Sequence, residues 1–362
     1  MKKKYLVFAL SILFSGFYMS CSDKDEYTPV SPVTVDLTLV PYSKLSDYKF
    51  FEGDIKDQIP SLNVIPYEPA SSLFTDYASK KRFIWMPNGV KANYVADNKI
   101  LDFPVGTVLI KTFYYTTIQP NNSTKIIETR LMIRKADKWH FYEYLWNDAQ
   151  TEADLVSGDD FANGSSKTIT FKKPNNEIIT TDYRIPSDAE CFACHKINET
   201  GTPIGVKPQN LNHNHQYGTN NKNILAKLVQ QGYLNSYPSN IASTIDYHDL
   251  TQPLDLRLRS YLDANCAHCH QDEARCFYRP IRLPFSQSNT DSNIGICIVA
   301  VEPINNLQKI ISPGNYNKSI MHYRISTNDE SERMPLLGRT IVHDEGVALL
   351  KEWISSLTQT CN

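Results

Sequence analysis

The sequence predicts an α+β protein, in which an N-terminal antiparallel β-rich part is followed by a small all-α part. Three observations predict it. Between residues 107 and 185, runs of β-branched and aromatic residues alternate with clusters of turn residues. Between 254 and 357, apolar residues recur instead at helical spacing. The pattern Cys-x-x-Cys-His occurs twice, once near the junction as Cys191-Phe192-Ala193-Cys194-His195 and once inside the helical part as Cys266-Ala267-His268-Cys269-His270.

In chain order, the first segment is an address. Met1-Lys2-Lys3-Lys4 supplies positive charge, and residues 5–19 are almost wholly apolar or small. Ser20-Cys21 and a charged, mainly acidic run follow. Residues 1–20 therefore read as a signal peptide, excluded from the fold. The junction resembles a bacterial lipobox, with Tyr18 where such boxes usually carry Leu. That resemblance makes Cys21 the lipidated N-terminus of the mature chain. The acidic run resembles export signals of bacterial lipoproteins, which implies the cell envelope: an outer-membrane anchor facing periplasm or surface. No later stretch reaches about 18 consecutive apolar residues, so the membrane is expected to hold the chain by the lipid alone. Residues 21–36, with Pro29 and Pro32, form a tether.

A length of 362 residues allows two or three domains, and a formal net charge of −2 gives no reason to expect nucleic acid. Residues 37–190 form the β-rich domain. Its strand signals are 107–115, 125–133, 140–146 and 178–185, with turn clusters at 120–124 and 162–166, a pattern that fits a sandwich or half-barrel. At 186–190 a helix start follows, with Ser187 as N-cap. Residues 191–252 carry the first Cys-x-x-Cys-His and a helical stretch near 222–231. Residues 253–362 form the helical domain. There Leu254, Leu258, Tyr261 and Leu262 share one helix face that runs into Cys266, and Val347, Leu350, Ile354 and Leu357 share another beside Trp353.

The repeated pentapeptide carries the chemistry. Two thiols two residues apart can add to the two vinyl groups of one porphyrin, and the next residue offers its imidazole to the iron. Zinc ligand pairs usually lie within about 15–20 residues of each other, and these are much further apart. No βαβ unit accompanies either pair, which argues against a thioredoxin-like couple. The expected cofactors are two covalently bound haem c groups, one on Cys191, Cys194 and His195, the other on Cys266, Cys269 and His270. Export suits this, because c-type haem is attached outside the cytoplasmic membrane. Cys276, Cys297 and Cys361 remain, and one disulfide among them is allowed in an oxidising compartment.

For the second iron the candidate sixth ligand is Met334, in Arg333-Met334-Pro335 between the motif and the last helix. This arrangement is similar to that of cytochromes c, and His/Met ligation raises a potential. Met321 is the runner-up. The first site has no methionine between His195 and Leu254. Its sixth position falls to His213, His215 or His248, to Met132 or His140 from the β domain, or stays open.

Several stretches carry a resemblance across residues 40–358: 72–77, 81–85, 103–111, 139–148, both haem motifs, Arg333-Met334-Pro335 and 342–346. They resemble an uncharacterised family of diheme c-type cytochromes of Gram-negative bacteria, often found beside parallel β-helix proteins. The resemblance implies two covalent haems and electron transfer with redox partners in the cell envelope. The string 103–108, the strand near Met132, Trp139 and the first motif also resemble, more weakly, hydroxylamine-oxidising cytochromes whose haem is cross-linked to a lysine. Those hold haem against a β-sheet with an open distal side. The expected function is thus a lipid-anchored diheme electron carrier. The alternatives are a haem oxidoreductase with an open first site, and a β-domain binding module with accessory haems.

Overall fold

A computed structural model describes residues 29–361. The signal peptide, Cys21 and the start of the tether lie outside the described residues. The β-rich part forms an antiparallel sheet of eight strands: β1 (Ile65–Pro66), β2 (Ser79–Trp85), β3 (Val108–Ile118), β4 (Ser123–Arg134), β5 (Trp139–Trp146), β6 (Ala153–Leu155), β7 (Ser165–Lys172) and β8 (Ile178–Ile185). β3 is its spine. One edge pairs with β4, and the other pairs first with β2 and then, at Ile118, with β7. The expected sandwich is therefore a single sheet, and its two faces are covered by loops and short elements, not by a second large sheet. The expected turn at 162–166 holds instead the end of a short helix, α1 (Gly158–Asn163), and the start of β7.

Side chains alternate across a strand, so each strand serves two cores. Val108 and Ile110, with Leu131, Ile133, Tyr144 and Trp146, pack under Val40, Leu45, Tyr48, Phe50 and Val64. Leu109 and Trp139 face the other way, against Val206, Leu211, Leu225, Leu228 and Tyr233. The segment after the first motif thus packs directly on the sheet, with its helix α3 (Ile224–Gln230) capped by the Asn223 side chain.

β8 ends at Ile185, and α2 (Asp188–Cys194) begins with a reciprocal cap. Ser187 Oγ accepts from the Glu190 amide, and the Glu190 carboxylate accepts from the Ser187 amide. Glu190 also pairs with Arg184 on β8 at 2.9 Å, which fixes the helix to the strand end.

In the last part, α4 (Leu254–Asn265) runs into Cys266 as the sequence stripe requires, α5 (Ile320–Ser326) follows, and α6 (Asp344–Ser356) packs on both. Leu258, Tyr261 and Leu262 meet Leu349, Leu350, Trp353 and Ile354 in one core. A side chain at Gly346 would collide with the Tyr261 ring, so glycine is what lets the helices approach. This part is not wholly helical: Val299–Ile304, with β-branched Val299, Val301 and Ile304, and Leu307–Lys309 form a hairpin about the turn at Asn305-Asn306. Cys297 and Cys361 form a disulfide, and Cys276 is the buried thiol left over. Buried polar contacts join the parts. Asp263 on α4 accepts from Gln209, Asn210 and the Phe285 amide. Asp76 accepts from the amides of Thr340 and Ile341.

Candidate functional site

The first pentapeptide occupies the last turn of α2, which ends at His195. His195 is clamped from both sides: its Nδ1 lies 3.1 Å from the Thr202 carbonyl, and the Thr202 amide donates to the His195 carbonyl at 2.8 Å. Nδ1–H donation to a carbonyl orients the ring and leaves Nε2 free as a ligand. Burial pulls His195 down to about 4, which keeps the imidazole neutral, the form that ligates a metal. A hairpin of Lys196–Ile197 and Thr200–Gly201 brings Thr202 back, and Gly201 sits so close to the Trp139 carbonyl and Phe141 ring that a side chain would be crowded.

Cys191, Cys194 and His195 line a cavity of about 680 Å³. Cofactor-sized pockets span roughly 300–1,000 Å³. One wall is the sheet, where Leu109, Met132 and Phe141 are cross-strand neighbours. Of the sixth-ligand candidates for this site, Met132 lines the cavity. His140, one residue out of phase with Phe141, belongs to the opposite face and bonds to Asp137 at 3.0 Å. His213 bonds to the carbonyls of Glu68 and Asn214, and His248 to Asp246. His215 stacks edge-on to Tyr217. None of these three lines the cavity. His268, from the second motif, does.

The second pentapeptide turns off the end of α4, with the Cys266 amide on the Leu262 carbonyl and the His270 amide on the Cys266 carbonyl. Burial pulls His270 down to about 4 and pushes Cys266 up to about 12. Nδ1 of both His268 and His270 is buried without a hydrogen-bond partner among the described residues. Cys266, Cys269, His270, Met334, Pro335 and Leu336 surround a cleft of about 60 Å³. Met334 thus lies opposite the motif, held by its amide on the Arg324 carbonyl and its carbonyl on Arg339 Nε. Met321 is buried in the helical core and does not line the cleft. The donor set suits a c-type haem at both motifs. The first cavity also has the size; the second cleft is too small for a tetrapyrrole unless the loop carrying Met334 stands further off.

The two motifs, separated in sequence, meet. A ligand atom from each of Cys194, His268 and Cys269 lies within 4.8 Å of the other two. The hydrogen bond between the two thiols pushes Cys194 down and Cys269 up. Cys276 joins them, its amide on the Cys269 carbonyl, and its contact with the Cys269 thiol brings it down to about 7. Asn198 and Glu273 tie the neighbouring loops at 2.7 Å. Sequence spacing gave no sign of this junction. His268 stood inside the motif as an unassigned residue, and Cys276 was only a disulfide candidate.

No helix among the described residues is long and apolar enough to cross a membrane. No family model matches the chain, and neither the curated proteins nor the solved structures contain a match to it.

Proposed function

We propose that the chain is a diheme c-type cytochrome that carries electrons in the cell envelope, anchored by a lipid on Cys21. The observation that carries this reading is the convergence of the two Cys-x-x-Cys-His motifs, the first on a cofactor-sized cavity with His195 already oriented by Thr202. A bound haem supplies one-electron chemistry at iron. The protein's part is to hold and orient. The Thr202 carbonyl accepts a hydrogen bond from His195 Nδ1–H, Leu109 and Phe141 present an apolar wall, and Cys194 and Cys269 bring the two attachment points side by side. Met334 faces His270 and is the sixth-ligand candidate there. At the first site Met132 and His268 are the candidates, and the cavity's volume also suits an open position, the oxidoreductase alternative. The likeness to diheme cytochromes of Gram-negative bacteria agrees with this reading.

Intact mass under denaturing conditions tests it. Two haem adducts are expected, one remaining after Cys191→Ala with Cys194→Ala, and the other remaining after Cys266→Ala with Cys269→Ala. An adduct-free chain from a host that matures c-type haem would sink the proposal. Cys21→Ser should release the protein from the membrane fraction, and unchanged partitioning would remove Cys21 as the anchor.

Cys194, His268 and Cys269 support a second reading, a soft-metal site for zinc, in which Cys276 is the nearest further thiol. Both readings use Cys194 and Cys269, so they exclude each other in one molecule. Zinc retained in native mass and absent from denatured mass, with no haem adduct, would select it.

A further inference from the structure

A row of charged side chains crosses the sheet on the cavity side. Arg82 on β2 lies opposite Lys111 on β3, Lys111 opposite Arg130 on β4, and Arg130 opposite Glu143 on β5. All four line the cavity of the first motif. Like charges in adjacent cross-strand positions repel, and a low-dielectric setting strengthens the repulsion.

The counter-charges present do not balance the row. Glu128 takes Arg130 at 2.9 Å and is also bonded by Tyr183 at 2.6 Å. Glu143 lies 3.7 Å from Arg130, but burial and neighbouring Glu128 push it well above the ordinary carboxylate range, towards the neutral acid. Arg82 is buried and reaches only the half-exposed Glu68, at 3.5 Å. The Lys111 amine rests over the Phe113 ring at 4.8 Å, and no carboxylate or other acceptor among the described residues meets it. Arg82 and Arg130 thus share this wall with Lys111, whose amine is pulled well below the ordinary lysine range by burial and by neighbouring Arg82, Lys80 and Arg130, and among the described residues no ion pair joins the row to the other acids that line the cavity, Asp102, Asp137, Asp188, Asp263, Asp272 and Glu273.

We propose that Arg82, Lys111 and Arg130 form an anion site inside this cavity, for a ligand with a carboxylate or similar oxyanion at one end and an apolar body. The body follows from the adjacent row, Leu109, Met132 and Phe141, two residues along each strand and so about 6.7 Å away. Guanidinium groups suit the acid end, because their planar fork matches two oxygens at once. Two sources share this chemistry. One is the propionate edge of a tetrapyrrole held by Cys191 and Cys194, a case that rests on the haem reading. The other is a free small acid, which does not.

Calorimetric titration with sodium formate, against equal sodium chloride, separates them. Two full-length forms are compared: the haem-loaded chain and the chain with Cys191→Ala and Cys194→Ala. A free-acid site binds formate in the loaded chain, at least tenfold more weakly after Lys111→Met and near wild type after Lys111→Arg. A propionate site binds none in the loaded chain and binds it in the double-alanine chain, with the same dependence on residue 111. If neither form binds formate more tightly than its Lys111→Met counterpart, the proposal is overturned. Should Lys111→Met fail to fold, formate-specific protection of the unsubstituted chains in thermal unfolding decides, and its absence in both overturns the site. Formate binding by a chain that keeps Cys191 and Cys194 yet gains no haem adduct there, from a host that matures c-type haem, would defeat the haem reading and leave the anion site standing.

Discussion

Replacing Asp76 by Ala should both destabilise the protein and loosen the loop that presents Met334. Asp76 is buried, and its carboxylate accepts from the Thr340 amide at 2.8 Å, the Ile341 amide at 3.1 Å and the Thr340 hydroxyl at 2.9 Å. The hydroxyl has a second partner in Thr181 Oγ1 at 2.7 Å, so its loss counts little. The two amides have no replacement in this geometry. Hydrogen bonds to a charged acceptor contribute roughly 1.5–3 kcal/mol each. Burial raises the Asp76 pKa in spite of these bonds, so deleting the carboxylate also relieves a desolvation cost. Asp76 has φ +45°, a left-handed conformation that Asp and Asn tolerate better than Ala, which adds about 1 kcal/mol. The two bonds and the backbone come to about 4–7 kcal/mol, the relieved desolvation takes back roughly 1–3, and a loss of about 3 kcal/mol is left for Asp76→Ala. Asp76→Asn, which keeps the backbone preference and one acceptor, should lose about half that.

Urea unfolding with an unchanged slope measures the loss. A folded-state pKa above the unfolded one means that the folded chain holds the proton more tightly. The advantage of wild type over Asp76→Asn should therefore be largest below the unfolded carboxylate pKa and shrink as pH rises through the folded one. An Asp76→Ala unfolding free energy within about 0.5 kcal/mol of wild type would refute the claim that this carboxylate carries the loop.

Three further outcomes are expected. Met334→His should lower the potential of the second site and remove its far-red sulfur-to-iron band, while Met321→Leu leaves both; a wild type without that band excludes Met334 as ligand. The two loaded sites should interact, since Cys194 and Cys269 approach within 4.8 Å, giving a split Soret dichroism signal that disappears in either double-alanine chain; additive spectra would show that the sites stand apart in the loaded protein. Cys297→Ser should cost up to about 4 kcal/mol in unfolding experiments, because the disulfide closes a separation of 64 residues; reductant should cost wild type the same and the variant nothing.

Much of the sheet was legible because β-branched and aromatic residues gather in its strands and clusters of turn residues separate them. Residues 107–115, 125–133, 140–146 and 178–185 are strands, and Ser187 caps α2. β2 and β7 carried weaker signals, since the lysines and arginine of Ser79–Trp85 and the hydroxyls of Ser165–Lys172 lower their share of apolar and aromatic residues. The two faces could not be read, because apart from the helical stretch that forms α3 the chain that covers them, at 33–64 and 206–241, is loops and very short elements with no sustained period. The motif residues were legible one by one. Their convergence was not, because the chain just after α2 and the chain just after α4 are joined by tertiary contacts such as Asn198 with Glu273. The charged row needed register: Arg82, Lys111, Arg130 and Glu143 become neighbours only once β2 to β5 are aligned.

The two sites are also built by different means. His195 rests on a hairpin pressed against Trp139 and Phe141, and its cavity wall is made of paired strands whose other face is core. Such a site holds its shape, since moving Lys111 or Met132 would drag Val108, Ile110, Leu131 and Ile133 with it. The second site closes instead with a loop. Met334 depends on Arg339, which bonds the carbonyls of Arg324, Thr327 and Met334, and on Asp76, which holds the amides of the next two residues, Thr340 and Ile341. Loosening that loop leaves the first wall untouched. Asp76→Ala should therefore weaken the Met334 band and leave the formate behaviour of the first cavity as it is in wild type. A variant that loses both together would mean that the sheet and the loop move as one body, against the separation of the two sites argued from their supports.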